Sequence, residues 1–474
     1  MNQHIFTNVK RGVLCPLFLA VLAISCKRLI EVPDTPPARI EQSKLFADSA
    51  SAMTAVANVY SYPTSTDGGF TFNDGALTVY SALSSDEVNY TISDVNRSQF
   101  YTHTLTPDNI YIQSIWNGPY SGLYPVNAIL AQVAASGGLS ESFKQQITAE
   151  MKVLRALYYF YLVNRFGGVP LVLSTDYKAT SVLPRTSPDS IYAQIMADLN
   201  DARQALGTSY PSAGRARPNQ YTVMAFLARV HLYRENWQAA YDAANTVIES
   251  QVYHLEKDLN NVFLSGSPEA IWQLPAGYPN SNFHVNEANF FVPYAADIVP
   301  YYIVTPWLIN AFEPTDQRQV KWLGANTITA GGSTQTYYYP SKYKNAFYDD
   351  PTVEDYMIFR LGEQYLIRAE AAAHLGKLDA AMADVDTIRN RAGLLPSTAN
   401  ATSETDVLNA IMHERQTELF CEWGHRWFDL KRTGTADAVL GAENPSWQPH
   451  EVLYPIPNSQ RSLNYRLTQN PGYN

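Results

Sequence analysis

The densest run of ionisable side chains lies between Glu414 and Arg432. Glu414, Glu418 and Glu422 recur every fourth residue, and His425 and Asp429 follow at similar steps. On a helix, positions four apart share a face, and a stripe of carboxylates beside an imidazole is what a metal centre or an acid–base pair requires. The run lacks the His-Glu-x-x-His order that sets two imidazoles one turn apart on a zinc ion. Arg415, Arg426 and Arg432 are interleaved with the acids and suit them as ion-pair partners. The expected role is therefore structural. Asp86 and Glu87 form a second carboxylate pair, but adjacent side chains in a strand or turn point apart and cannot flank a scissile bond. Gly-x-Ser-x-Gly, glycine-rich phosphate loops and the ligand order of an EF-hand are all missing from the sequence. The sequence thus predicts no catalytic residues, no metal site and no cofactor.

What it offers instead is flat rings. There are 32 Tyr, 19 Phe and 8 Trp in 474 residues, more phenols than a core absorbs when each needs a polar partner. A pyranose ring has an apolar face, on which aromatic side chains stack, and a rim of hydroxyls, which amides, acids and arginine bind. Tyr158, Tyr159, Phe160, Tyr365 and Trp116 lie in helical patterns and are assigned to packing. Aromatics on irregular segments are the better ligand candidates: Tyr62, Phe70, Tyr90, Tyr301 and Trp322, with Asp86, Asn89 and Arg97 as polar partners. The formal charge is -10 and no basic block occurs, so nucleic-acid binding has no electrostatic footprint.

The N-terminus reads as a targeting segment. Lys10 and Arg11 precede an apolar stretch from Val13 to Ile24, too short for a bilayer-spanning helix, which needs about 20 residues. Residues 1–25 are the predicted signal peptide. Leu22-Ala23-Ile24-Ser25-Cys26 resembles a bacterial lipobox, although Ala23 stands where Leu is usual, three before the cysteine. Cys26 is the predicted lipid attachment site, and the Pro-containing residues 26–40 a tether. Cys421, in the apolar context Leu419-Phe420-Cys421, is read as a buried structural thiol.

These features need a frame, and the chain supplies helices. Ile147, Met151, Leu154, Leu157, Tyr158 and Tyr161 recur at helical spacing within 141–166, and Gly167-Gly168 ends that helix. Pro119 and Pro125 are expected to interrupt a helix over 109–135. Ala228 to Val247 matches Ala369 to Ile388 at a constant offset of 141, with Ala239-Ala240 on Ala380-Ala381. Alanines at such positions let two helices approach closely, as in tetratricopeptide-like hairpins. Two stretches, 61–106 and 251–356, lack periodicity and are rich in aromatics; they read as loops with a ligand-binding role. The expected fold is mostly α, a tetratricopeptide-like scaffold with a large loop-rich insertion.

Four segments carry a resemblance to the SusD/RagB family of outer-membrane nutrient-binding lipoproteins. They are Leu154-Arg155-Ala156 to Tyr161 with Arg165-Phe166-Gly167-Gly168-Val169-Pro170-Leu171; Leu361-Gly362-Glu363-Gln364-Tyr365 to Glu370; the run from Glu414 to Arg432; and Tyr454-Pro455-Ile456-Pro457 with Gln469-Asn470-Pro471-Gly472-Tyr473. The resemblance implies one domain over 41–474, with an N-terminal part over about 41–235 and a C-terminal part over about 260–474. It implies a lipoprotein anchored in the outer membrane and facing the cell exterior. Such a protein caps a TonB-dependent, SusC-like transporter and captures oligosaccharide or, in some members, peptide, without chemistry. Two alternatives come from other classes. One is a secreted hydrolase, which would need converging carboxylates or a nucleophile and base. The other is a purely structural tetratricopeptide scaffold, which would leave the long aromatic loops unexplained.

Overall fold

Several long helices begin where a short polar side chain accepts the unpaired amides of a first turn. Asn109 accepts from the amides of Tyr111 and Ile112 at 2.9 and 3.3 Å, Ser140 from Phe143 at 3.3 Å, and Ser403 from Asp406 at 3.3 Å. Asn219 and Thr222 form a capping box. In the computed structural model, which describes residues 45–60, 75–275, 285–346, 353–399 and 402–473, the longer helices are α1 Ser49–Tyr60, α2 Ala76–Ser84, α3 Ile110–Ala135, α4 Glu141–Phe166, α5 Pro188–Ala205, α6 Gln220–Tyr233, α7 Trp237–Glu249, α8 Leu361–His374, α9 Leu378–Arg391, α10 Glu404–Glu418, α11 His425–Arg432 and α12 Ala436–Glu443. The strands are β1 Val88–Tyr90, β2 Ala270–Pro275, β3 Tyr302–Val304, β4 Leu323–Ala330, β5 Ser333–Pro340 and β6 Asp355–Arg360. The fold is mostly α, as expected.

From α3 to α10 each helix packs on the next in chain order, giving a solenoid of antiparallel helices. The repeat read from the sequence falls on α6–α7 and α8–α9. Their first residues, Gln220 and Leu361, are separated by the offset seen in the sequence, as are Glu235 and Gly376, which turn each hairpin with positive φ. Ala240 and Ala244 in one hairpin and Ala369, Ala373 and Ala381 in the other are wholly buried, so the small side chains set the close helix contact. Pro119 and Pro125 do not interrupt α3; the helix runs through both. A proline interior to a helix costs about 3 kcal/mol, and here burial of Ile112, Ile115, Trp116, Leu123 and Val126 along the same helix outweighs it. Gly122 is required where α3 crosses α4, since a Cβ there would lie 2.3 Å from Tyr158 Cζ.

The chain between α7 and α8 forms the insertion. Its ends are tied by the antiparallel pair β2–β6, and β4–β5 forms a hairpin. A second tie joins the insertion to the N-terminal half. β1 pairs antiparallel with β3, with Asn89 opposite Ile303 and Tyr90 opposite Tyr302. Thr305 extends that ladder, its amide donating to Glu87 O at 3.0 Å and its hydroxyl to Asp86 O at 2.5 Å.

The sequence-based loop over 61–106 needs correction. Every residue of α2 is buried, so Tyr80 belongs to the core. A short helix buried all round shows no amphipathic period, which is why the pattern hides it. Of the predicted signal peptide, tether and lipid site, residues 1–44 including Cys26 lie outside the described residues. Among the described residues no helix is long and apolar enough to cross a membrane.

Candidate functional site

A groove of about 350 Å³ opens on the insertion. Its walls come from two short pieces: the helix Asn286–Phe291 with the turn that follows, and the segment running up to β3. The lining residues include Asn286, Asn289, Phe290, Tyr294, Ile298 and Tyr301. Tyr294 is 66% exposed and Tyr301 44% exposed. Rings presented this way stack on an apolar ligand face without giving up packing. Asn289 donates its side-chain amide to Asn286 Oδ1 at 3.1 Å, so the two amides form a uncharged polar pair on one helical turn. Behind the groove, Asn326 of β4 is buried and its Nδ2 donates to Ala295 O and Ile298 O, both at 2.9 Å. The hairpin thereby fixes the loop that carries Tyr294 and Tyr301.

Tyr90 and Arg97 sit in a second cluster on the β1–β3 side. Asp94 caps the short helix Val95–Tyr101, accepting from the amides of Asn96 and Arg97 at 2.9 Å each. Its other oxygen meets Arg97 Nη1 at 2.8 Å and the Tyr111 hydroxyl at 2.9 Å. The Arg97 guanidinium lies 5.0 Å from the Tyr90 ring centroid and 4.8 Å from that of Tyr111, within cation–π range. Burial opposes ionisation of Asp94, but the Arg97 amide, the Tyr111 hydroxyl and the Arg97 charge outweigh it and hold the carboxyl below its ordinary value. Burial, then the hydrogen bond to Asp94, pushes the Tyr111 phenol up to about 12. Asn89 is half-buried on the adjoining strand.

The other predicted ligand residues fall elsewhere. Trp322 is 0% exposed. Its indole N–H donates to Leu259 O at 2.8 Å, the Phe263 ring lies 5.7 Å away edge-on, and the Lys342 ammonium sits 4.7 Å over its face. A ring enclosed on its faces and edge packs the core and cannot stack on a ligand; irregular sequence around it concealed this. Asp86 is also buried, its two oxygens paired with Arg426 Nε and Nη2 at 2.7 and 2.6 Å, so it joins the two halves of the chain rather than facing ligand. Tyr62 and Phe70 lie outside the described residues. The groove residues that sequence reasoning passed over are Phe290, Tyr294, Asn286 and Asn289. Two asparagines three apart, followed by Pro293-Tyr294, are the signal that marks them.

The charged run at 414–432 is structural, as read, but its partners are largely not the arginines within it. Arg318 binds Glu414 at 2.5 Å and Glu418 at 3.2 Å, Arg360 binds Glu418 at 2.5 Å and Glu422 at 2.8 Å, and Arg391 and Lys342 complete the lattice on Glu418 and Glu422. Arg415 pairs with Asp429 at 2.7 Å and Arg432 with Asp429 at 2.8 Å and Glu370 at 2.5 Å. Glu422 is not on the helix of Glu414 and Glu418: α10 ends at Glu418, and Cys421 and Trp423 turn the chain with positive φ. Burial opposes the charge on Glu422 and Asp429, yet the facing cations hold both carboxyls below their ordinary values. Glu87 shows the opposite balance, pushed up to about 7 by burial despite accepting from the Cys421 amide at 2.9 Å. Cys421 itself is buried, and burial raises its thiol well above the ordinary value. Among the described residues no three His, Cys, Asp or Glu side chains are grouped to hold a metal.

Residues 301–473 match the model of the SusD family, and residues 48–232 match one described as starch-binding associating with outer membrane. SusD-like protein P38 of Formosa agariphila is 24% identical over 99% of this chain and 99% of its own length. SusD-like protein P25 of the same organism is 22% identical over 98% and 99%. Among solved structures, a SusD superfamily protein of Bacteroides vulgatus superposes with a TM-score of 0.78 at 21% identity, covering 90% of this chain and 99% of that one. A laminarin binding SusD-like protein superposes with a TM-score of 0.73 at 23% identity, covering 90% and 100%. At these identities the structural likeness establishes the fold.

Proposed function

Because the chain belongs to the SusD family, we propose that it captures oligosaccharide at the outer membrane and passes it to a TonB-dependent, SusC-like transporter without transforming it. The observation that carries this reading is the groove of Phe290, Tyr294 and Tyr301 beside Asn286 and Asn289: two of its rings stand well exposed on a loop that a buried asparagine holds in place. Stacking surface and amide rim are what a sugar face and its hydroxyls need. The starch-binding description of the N-terminal match and the laminarin-binding structural neighbour support the same class of ligand. A peptide ligand would be read through backbone hydrogen bonds along an extended edge; rings and side-chain amides favour sugar. A hydrolase needs converging carboxylates or a nucleophile and base, and the densest carboxylate run, 414–432, does not offer them free: each is engaged by a buried cation.

In this reading residues 1–25 are a signal peptide, Cys26 carries the lipid, the face bearing the α6–α9 repeats meets the transporter, and 41–474 form one capture domain. Tyr90, Arg97 and Asn89 provide a second contact patch. The test is a glycan titration. Tyr294→Ala and Tyr301→Ala should each weaken oligosaccharide binding about three- to tenfold, the range expected for a lost aromatic contact, with the melting temperature unchanged. Unaltered affinity in both variants, or release of shortened products from the bound glycan, defeats the proposal.

A further inference from the structure

Resting on that capture reading, we propose that the groove selects uncharged glycans and rejects polysaccharides bearing uronate or sulfate. The described lining of the groove holds amides, phenol rings and aliphatic groups and no Lys, Arg or His. The lack of Lys and Arg is a property of the whole segment, whose one imidazole, His284, lies outside the described residues. Between Lys257 and Arg318 the sequence contains no Lys or Arg, while Asp258, Glu269, Glu287, Asp297, Glu313 and Asp316 fall within it. Asp297 is exposed and lies in the loop between Tyr294 and Tyr301. The supporting hairpin, Leu323 to Pro340, carries no charged residue at all.

Several cations around this segment are already committed, and Lys257, Lys321 and Lys344 are not among the described lining of the groove. Arg318 is wholly buried among Asp316, Glu414 and Glu418, Lys342 is buried against Glu422, and Arg97 is matched by Asp94 at 2.8 Å. A carboxylate or sulfate on a sugar is recognised by charge-assisted hydrogen bonds, most often from arginine. Here it would be desolvated against rings and amides with no cation in the described lining, beside an exposed aspartate, on a chain of formal charge -10. A sugar unit that reached Arg97 in the second patch would find that charge already paired with Asp94. The hydroxyls of a neutral sugar meet no such penalty, because side-chain amides both donate and accept. Rejection of the wrong ligand by unpaired charge is a specificity device in its own right.

The experiment is calorimetric titration of the purified full chain in detergent. The probes are neutral hexasaccharides of glucose, mannose and xylose, and a hexagalacturonate, at low and high ionic strength, with Tyr294→Ala marking the site. The expected result is that at least one neutral hexasaccharide binds, and that hexagalacturonate binds at least about tenfold more weakly at low salt, a difference of about 1.4 kcal/mol. The gap should narrow as the Debye length falls from about 30 Å to about 3 Å with added salt. Hexagalacturonate binding as tightly as the best neutral probe, and losing that binding in Tyr294→Ala, overturns the neutral selectivity while glycan capture stands. Failure of every hexasaccharide, neutral and charged, overturns both.

Discussion

Asn326→Ala separates the groove from the frame that holds it. The Asn326 side chain is buried in β4 and donates two hydrogen bonds of 2.9 Å, to Ala295 O and Ile298 O. Each is worth about 0.5–1.5 kcal/mol net. Ala295 and Ile298 are half-buried rather than enclosed, so their carbonyls regain water when the donor is lost. The total then lies near about 1–2 kcal/mol, and it falls on one loop. If the pinned loop is the form that binds, its population drops by up to about 5- to 30-fold, and the apparent dissociation constant rises by the same factor. The melting temperature should fall by only a few degrees, at about 2–4 °C per kcal/mol for a large domain. The assay is glycan titration alongside thermal unfolding. Thr327→Ala serves as control, since it removes one exposed Thr327–Thr336 hydroxyl contact on the same hairpin. Asn326→Ala with wild-type affinity and unchanged amide exchange over 294–301 refutes the anchoring role.

Three other expectations follow from burial and charge. Trp322→Ala removes a fully buried indole and should cost about 3–5 kcal/mol; thermal unfolding shows a large drop, while affinity per folded molecule is retained, and a near-native melting temperature contradicts the core assignment. Burial pushes the Glu287 carboxyl from 4.5 up to about 8 against opposing hydrogen bonds from Thr78 and Tyr356. The folded state then keeps a proton that the unfolded chain sheds, so this group's contribution is full below about 4.5 and is lost as pH rises toward 8. Glu287→Gln should accordingly gain in melting temperature relative to wild type between pH 5 and pH 8 (about the span of that shift), and a constant difference across the range speaks against it. Cys26→Ser should move the protein from the membrane to the soluble fraction on cell fractionation; persistence in the membrane fraction counts against lipid attachment.

The frame was legible because helices that bury one stripe write their period into the sequence. The alanine-rich hairpins announced themselves twice at the same offset, and α4 by its apolar spacing and terminal glycines. α2 was not legible, since nine consecutive buried residues leave no polar face to define a period. The site was legible only as a type of residue. Tyr301 and Trp322 both stand in aperiodic, aromatic sequence, yet one is 44% exposed and the other 0%. What separates them is tertiary: the indole N–H of Trp322 meets Leu259 O, and the Phe263 and Phe420 rings enclose it. Local sequence records neither contact. Asp86 was misplaced for the same reason, because its partner Arg426 lies at the other end of the chain.

The separation of roles between these residues has an energetic origin. The ion lattice around Glu418 and Glu422 is fully desolvated, and losing one partner from such a lattice costs about 3–5 kcal/mol by stranding the charge that remains. Side chains in it cannot be exchanged singly without leaving a buried charge unpaired, so the most chemically suggestive run in the sequence serves the frame. The groove is built on the opposite principle. Tyr294 and Tyr301 are 66% and 44% exposed, so exchanging these two rings removes little buried surface. The loop's position is secured from behind by Asn326, and the insertion's by the β1–β3 ladder, Thr305 and the Asp86–Arg426 pair. On the proposed capture role, exposed rings held by buried anchors can be exchanged, and specificity changed, without endangering the frame.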